Sequence, residues 1–484
     1  MLSTLQAKTA RNVSYIGFSQ LASLLLSLGT IAILAKLLTP EDFGIIGVGM
    51  VFLTLFYSFQ DFGVMPALIR RDDRLMEAVS VGLTLRWVMS VLIAVIVVGC
   101  SPLIAWFFGD PAISYVIIAY TANLFILNFG FTSQTYLTRS LKFSCLAFAT
   151  MGQYLAVAVV SVMLALAGFS YWSLVFGSLA GSLSYVVLLR FYERTPVKAR
   201  FDRKIMNELL DFGKHILVSG LMTFVVFNFD QAIVGRALGV ASLGIYFLAV
   251  RFGRTIGQQI AGAVNAVMFP TMARSKEDTE FLKTGYTQSI RMIAVLAVPV
   301  TVGLSVLSPF FVNIVLGSKW LAVVIPLSIL SFQGLLNALI PPAANVLMSI
   351  GKPRYMSIQS TIQAGVILVG VYPAAILYGV VGVCLLTTIA SLGVLIYFLL
   401  VLSSILDTSV ADIARGMAPA LAAGALTFML LLVLTTLLPE TVVVLVVLSI
   451  LGMALYVVAL HVASRGRDIR DFLDIVRNSI CGEK

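Results

Sequence analysis

FDQAIVGRALGVASLGIYFLAVR (Phe229–Arg251) is the stretch on which the reading of the chain turns. Two apolar runs, 212–238 and 241–270, flank its short turn Leu238-Gly239-Val240-Ala241-Ser242. A membrane-spanning helix needs about 20 mostly apolar residues, and each run is long enough. The stretch therefore reads as a hairpin of two spans, Ile216 to Met272. Asp230 sits in the first helix, and Arg251 and Arg254 sit in the second. Charge at such depth is costly and marks function by default.

Working outward, the same pattern repeats along the whole chain. Fourteen apolar runs are long enough to span, from 13–37 to 441–463, including 354–378 and 380–403. Of the 484 residues, 60% are hydrophobic and only 11% charged, and the mean hydropathy is +1.03. Soluble domains carry about 25% charged residues, so the class is an all-α polytopic membrane protein. The net charge of +10 does not point to nucleic acid, because the basic residues sit in short loops between apolar runs. One side of the membrane holds Lys8, Arg11, Arg70, Arg71, Arg74, Arg139, Lys142 and the Arg190–Lys204 cluster, with Arg354 and the tail arginines. The other side holds little beyond Lys36, Arg236 and Lys319. Positive loops stay in the cytoplasm, so both termini are expected there, and fourteen spans satisfy that. The first run is too long for a signal-peptide core and reads as a retained helix. Ile205, Met206, Leu209 and Leu210 share one helical face and suggest a short interfacial helix; residues 468–480 suggest another.

Catalytic and metal chemistry find little support. Cys100, Cys145, Cys384 and Cys481 are scattered, and His215 and His461 lie far apart, so no disulfide framework or metal site is expected. No GxxxxGK[ST] phosphate loop is present. The exoplasmic loops are a few residues long, which argues against a membrane glycosyltransferase.

A shift of 200 residues lays ILAKLLTPEDFGI (Ile33–Ile45) on IVGRALGVASLGI (Ile233–Ile245). Ser101-Pro102 followed by Gly109 echoes Ser308-Pro309 followed by Gly317, and Leu137 with Lys142 echoes Leu347 with Lys352. These matches imply a duplication. Residues 1–200 form an N-terminal lobe of six helices and 201–405 a C-terminal lobe of six. Residues 406–463 add two helices, and 464–484 form a cytoplasmic tail. An even helix number per lobe makes the repeats parallel around a central cavity, a transporter layout that works by alternating access. The fold expected is thus about fourteen transmembrane helices in two parallel six-helix lobes plus two C-terminal helices.

AKLLTPEDFG (Ala35–Gly44), QDFGVMPALIRR (Gln60–Arg71), the Phe229–Arg251 stretch, LGSKW (Leu316–Trp320) and the GKPR turn (Gly351–Arg354) resemble one family over almost the whole chain. It is the Wzx-type polysaccharide flippases of the multidrug/oligosaccharidyl-lipid/polysaccharide exporter superfamily, with the colanic-acid-translocase type as the subgroup resembled. The resemblance implies flipping of undecaprenyl-diphosphate-linked oligosaccharide across the bacterial inner membrane for exopolysaccharide, capsule or lipopolysaccharide. It also implies a polymerase and a chain-length regulator as partners. No cofactor is expected; energy comes from an ion gradient, H+ or Na+, or from consumption of the cargo. A lipid II flippase and a cation-coupled multidrug exporter are the alternatives within the superfamily. The first usually carries more cations in its first lobe, and the second has a more acidic cavity.

The site candidates follow from charge and hydrogen bonding. Asp230 and Arg251 lie at similar distances from the turn, so an ion pair fits, and Arg254 falls nearly on the same helical face, three residues on. Arginine suits a diphosphate because its fork donates parallel hydrogen bonds and stays charged. The bland alternative is a structural pair that fixes helix packing. Sugar contacts are expected from Gln20, Tyr57, Asn228 and Gln258; for any one of them, an interhelical hydrogen bond is the simpler role. Asp61, in the DFG turn, with Arg86 and Arg291 near the cytoplasmic boundary, reads as a set of gate charges, and the two arginines also suit snorkelling. Thr30, Val51 and Thr54 stand in the first hairpin where Asp230, Arg251 and Arg254 stand in the second. The first lobe is therefore expected to carry no cation at depth and the second to hold the charged end of the cargo.

Overall fold

A computed structural model describes residues 2–71, 73–195, 199–274 and 279–465. Helices account for the described elements, and no strand occurs among them. Packing divides the chain into two compact units, Ser14–Phe247 and Leu248–Lys484 together with Met1–Val13. This packing boundary lies inside the second hairpin, whereas the sequence repeat divides near residue 200.

In the first unit α1 (Leu2–Leu37) leads into α2 (Pro40–Asp61), a short α3 (Val64–Arg70), α4 (Leu75–Phe108), α5 (Ala112–Arg139), α6 (Phe143–Leu166), α7 (Trp172–Tyr192) and α8 (Arg203–Leu238). The start of α2 shows how local sequence sets an end. Thr39 Oγ1 accepts from the Asp42 amide at 3.2 Å, and Asp42 Oδ2 accepts from the Thr39 amide at 2.9 Å. This capping box, with Pro40 in the first turn, satisfies two otherwise orphan donors and contributes about 1 kcal/mol. Asp42 also accepts from Ser170 and from the Tyr171 amide, which ties α2 to the turn between α6 and α7.

Residues 205–210 are not a separate surface helix. They form the first turns of α8, capped by Asp202, whose carboxylate accepts from the amides of Lys204 and Ile205. Ile205 and Leu209 are buried against Val64, Leu68 and Ala78, so α3 and α4 take up the face that the sequence offered to a membrane surface. The second surface helix expected, 468–480, lies outside the described residues.

The helix α9 (Val240–Ala249) carries the chain from the first unit into the second, which continues with a π-helical turn (Val250–Arg254) and α10 (Thr255–Arg274). That unit then contains α11 (Thr279–Val306), α12 (Ser308–Phe311), a second π turn (Val312–Leu316), a 3-10 turn (Ser318–Val323), α13 (Val324–Leu339) and α14 (Pro341–Ser349). Last come α15 (Arg354–Ile405), α16 (Val410–Leu437) and α17 (Val442–Ser464). Gly253 packs on the backbone of Leu330 and Ser331, and Gly257 on that of Gly334, so the first π turn crosses α13 with no side chain between the backbones. Such close approach is how membrane helices gain packing without a hydrophobic drive.

Twelve helices among the described residues are long and apolar enough to cross a membrane. One of them, α15, is two passes. Gly379 has φ 61° and ψ −149°, a backbone that a side chain would strain, and the chain reverses there. Leu386 lies against Gly370, Gly382 against the Ala374 carbonyl, and Tyr397 Oη donates to Tyr355 O at 3.2 Å. Residues 42 apart cannot meet in a straight helix, which rises about 1.5 Å per residue. Residues 240–274, interrupted by the π turn, supply a further pass, and the total agrees with the fourteen runs of the sequence.

The repeat is visible in the contacts. Gly44 packs on Val240 and Gly244 on Pro40; Gly47 meets Leu243 and Phe43 meets Phe247. Under a shift of 200 each contact maps onto the other, which is the signature of a local two-fold. A Cβ on Gly44 or Gly244 would strike the opposing carbonyl. The third echo is equally concrete: the Lys142 amide donates to Leu137 O at 3.0 Å and the Lys352 amide to Leu347 O at 2.9 Å, the same helix-closing bond.

Candidate functional site

Two polar regions occupy the first unit; Gln60 enters one from one face of α2, and Thr54 and Ser58 line the other from the opposite face. The first is sealed. Arg86, 8% exposed, sits about 16 Å along α4 from Leu75. Its guanidinium donates to Asp61 Oδ1 at 2.9 Å, Gln60 Oε1 at 3.2 Å and Asn128 Oδ1 at 3.3 Å, and lies 4.7 Å from the Phe131 ring centroid. Gln60 Nε2 in turn donates to Ser90, to Leu124 O and to Asn128, while Asn128 Nδ2 donates to Ser90. Tyr57 hydrogen-bonds Ser182, whose hydroxyl donates to Asn123 at 2.5 Å. A buried charge survives only when paired and hydrogen-bonded, and this one is both.

The network corrects two expectations. Arg86 does not snorkel: it turns inward and is held by three side chains. And the first lobe does hold a deep cation, although its first hairpin is neutral. Asp61 is the exposed edge of the network, at the end of α2, where Phe62 and Gly63 adopt left-handed backbone and lead into α3.

The second region is open. Thr54 and Ser58 on α2 face Ile216, Ser219, Gly220, Thr223, Phe224 and Asn228 on α8 across a cleft of about 500 Å³. Thr54 and Ser58 are one turn apart, as are Ser219 and Thr223, so each pair lies on one helical stripe. Most of these polar groups have a local partner. Thr54 donates to Met50 O at 2.9 Å, Ser58 to Thr54 O at 3.1 Å, Thr223 to Ser219 O at 3.0 Å, and Asn228 Nδ2 to Phe224 O at 3.3 Å. Of the residues expected to meet sugar, Asn228 is the one placed in this cleft. Thr54, Ser58, Ser219 and Thr223 were missed, because hydroxyls at helical spacing among apolar residues read as ordinary helix filler. Their i, i+4 recurrence on two spans, α2 and α8, was the available signal.

Asp230 is fully buried in α8 and accepts from Tyr246 Oη at 2.7 Å and from the Gln231 amide at 2.8 Å. Gln20 is exposed on α1. Arg251, Arg254, Gln258 and Arg291 belong to the unit that begins at Leu248. Arg251 is half-buried and Arg254 is 5% exposed on the π turn, where the Thr255 amide closes onto Val250 O. That wider i→i+5 winding opens the angle between the two side chains beyond that of three residues of α-helix. Gln258 is half-buried on α10, and Arg291 half-buried on α11. No cluster of metal-ligating side chains occurs among the described residues.

Repeated apolar helices long enough to span, with buried polar groups between them and an open polar cleft, define an all-α multi-pass membrane protein. Residues 33–325, more than half of the chain, match the profile of the polysaccharide biosynthesis protein family, and the chain belongs to that family. The teichuronic acid biosynthesis protein TuaB of Bacillus subtilis is 30% identical over 298 residues, 60% of this chain and 61% of that protein. The succinoglycan biosynthesis transport protein ExoT of Rhizobium meliloti is 27% identical over 322 residues, 66% of this chain and 65% of that protein. The chain thus matches a little under two thirds of the length of these two relatives. The solved structure of the lipid II flippase MurJ in an inward closed conformation superposes with a TM-score of 0.77, covering 93% of this chain and 98% of that one at 15% identity. At such identity the likeness is one of fold.

Proposed function

We propose that this chain flips lipid-diphosphate-linked oligosaccharide units across the bacterial inner membrane for extracellular polysaccharide assembly. The observation that carries the reading is the hydroxyl- and amide-lined cleft on two membrane-spanning helices, α2 and α8, in a member of a polysaccharide biosynthesis family. A sugar headgroup leaving water loses hydrogen bonds that an apolar bilayer cannot return. Polar walls within the protein return them. The relatives named for teichuronic acid biosynthesis and succinoglycan transport support the same cargo class.

In this reading the two repeat-related lobes, 1–200 and 201–405, alternate access to the two leaflets, with 406–463 appended to them. Both termini lie in the cytoplasm, as the basic loops require. Arg251 and Arg254 meet the diphosphate, Arg291 is a gate charge, and Asp230 takes part in cation coupling. A polymerase and a chain-length regulator receive the cargo on the far side.

Chromosomal deletion tests the proposal. The expected result is loss of surface polymer with accumulation of a lipid-linked repeat unit, both reversed by the wild-type gene. Unchanged polymer and no accumulated intermediate would overturn it. Within that assay the Arg251→Ala/Arg254→Ala variant is expected to abolish export and the Lys/Lys variant to restore part of it. Full export by the double Ala variant would sink the diphosphate role while leaving the flippase reading in place.

A further inference from the structure

The cleft between α2 and α8 has a hydrogen-bonding polarity of its own. A serine or threonine hydroxyl has one proton and two lone pairs. In Thr54, Ser58 and Thr223 the proton is already given to a backbone carbonyl of the same helix, a common arrangement for these residues within helices. What they present to the cleft is therefore lone pairs. Asn228 spends one amide hydrogen on Phe224 O and keeps its other N–H and its carbonyl oxygen. Acceptors thus line the wall at Thr54, Ser58 and Thr223, with the Asn228 amide and the Ser219 hydroxyl as its donors.

We propose that this cleft is the subsite for an uncharged sugar of the cargo, recognised through the sugar's own hydroxyl protons, and that the diphosphate is excluded from it. The inference rests on the flippase reading and assigns one part of the cargo to one set of residues. A sugar hydroxyl can donate to each of these acceptors and still accept elsewhere. A phosphate or a carboxylate brings only acceptors, so it would face lone pairs and lose its water without return. A cation would suit acceptors, but no carboxylate lines the cleft among the described residues. A lipid chain would strand the hydroxyls. Ile216 and Phe224 supply the apolar patches against which the C–H face of a sugar ring can lie. The volume of about 500 Å³ falls within the roughly 300–1,000 Å³ of small-molecule sites.

The test uses the full chain in lipid nanodiscs and two probes: undecaprenyl diphosphate carrying a neutral hexose oligosaccharide, and undecaprenyl diphosphate with no sugar. Thr54→Val with Thr223→Val removes two hydroxyls and keeps the side-chain shape. This variant is expected to bind the sugar-bearing lipid at least tenfold more weakly than wild type and the sugarless lipid equally well. Thr54→Ser with Thr223→Ser, which keeps the hydroxyls, should restore binding and so separates recognition from packing. Wild-type affinity of the valine variant for the sugar-bearing lipid overturns the inference, and so does an equal loss for both probes. In either case the flippase reading stands if the wild-type protein flips the sugar-bearing lipid in liposomes. If the wild-type protein neither binds nor flips that lipid, both fall.

Discussion

Two faces of α2 carry polar residues, and they differ in kind. Gln60, with Asp61 at the helix end, looks into a buried network where each nitrogen of Arg86 meets an acceptor. Thr54 and Ser58, on the same helix, look into open space with their protons already spent. The first face resembles a functional site by its charge but is built like a structural joint. The second resembles filler but is built like a binding wall. Within a membrane, polarity alone does not mark a site. What marks it is hydrogen-bonding capacity left over after the neighbours are counted.

The largest effect that would break this comparison is at Arg86. Replacing it with Met removes the cation and leaves Asp61, Gln60 and Asn128 short of a partner. Breaking a buried ion pair costs about 3–5 kcal/mol, and the solvent-facing side of Asp61 places this one near the lower end. The expected result is a large fall in the thermal midpoint in detergent and in the folded yield. An unchanged midpoint would mean that the network is not a joint. Gln60→Leu should come next. It removes the acceptor of Arg86 Nη2, and an unsatisfied buried polar group costs about 1–3 kcal/mol. The same thermal assay reads it, and a loss smaller than that of Thr54→Val would reverse the ranking of the two faces.

On the open face, Thr54→Val and Ser58→Ala should each move stability by no more than about 0.5 kcal/mol, because exposed substitutions away from packed features rarely do more. Their effect is expected in cargo binding. A midpoint shift as large as that of Gln60→Leu would show the cleft to be packed and not open.

The smallest effect concerns Asp202, outside both faces, at the start of α8. The Ile205 amide, aided by the Lys204 amide and by Arg74 and Arg200 nearby, holds its carboxyl below the ordinary carboxylate range. A lowered folded value means that its stabilisation is present above the ordinary value of about 3.9 and is lost as pH falls through the folded one. The Asp202→Ala deficit in thermal midpoint should therefore be visible at pH 7 and shrink below about pH 4. A deficit that grows on acidification would contradict the cap.

Much of the fold was legible because its signals are local. Hydropathy located the spans. The shift of 200 residues implied a duplication, and the reciprocal Gly44–Val240 and Gly244–Pro40 contacts follow the same shift. The site was less legible. Asn228 was found, but Thr54, taken as the neutral counterpart of Arg254, lines the same cleft. Arg86 was read as a snorkelling or gate charge near the cytoplasmic boundary because its distance from a span end was read without its partners. Ser90, Asn128 and Gln60 come from three different helices, and no local pattern in the sequence links them.

Hydropathy and periodicity determined by themselves that this chain crosses the membrane about fourteen times and is duplicated, since burial in lipid demands long apolar helices whatever their arrangement. Only the tertiary structure decided which polar groups satisfy one another and which face open space. That depends on which helix faces meet, and on a π turn that opens the angle between Arg251 and Arg254. Neither is set by any one segment of the chain.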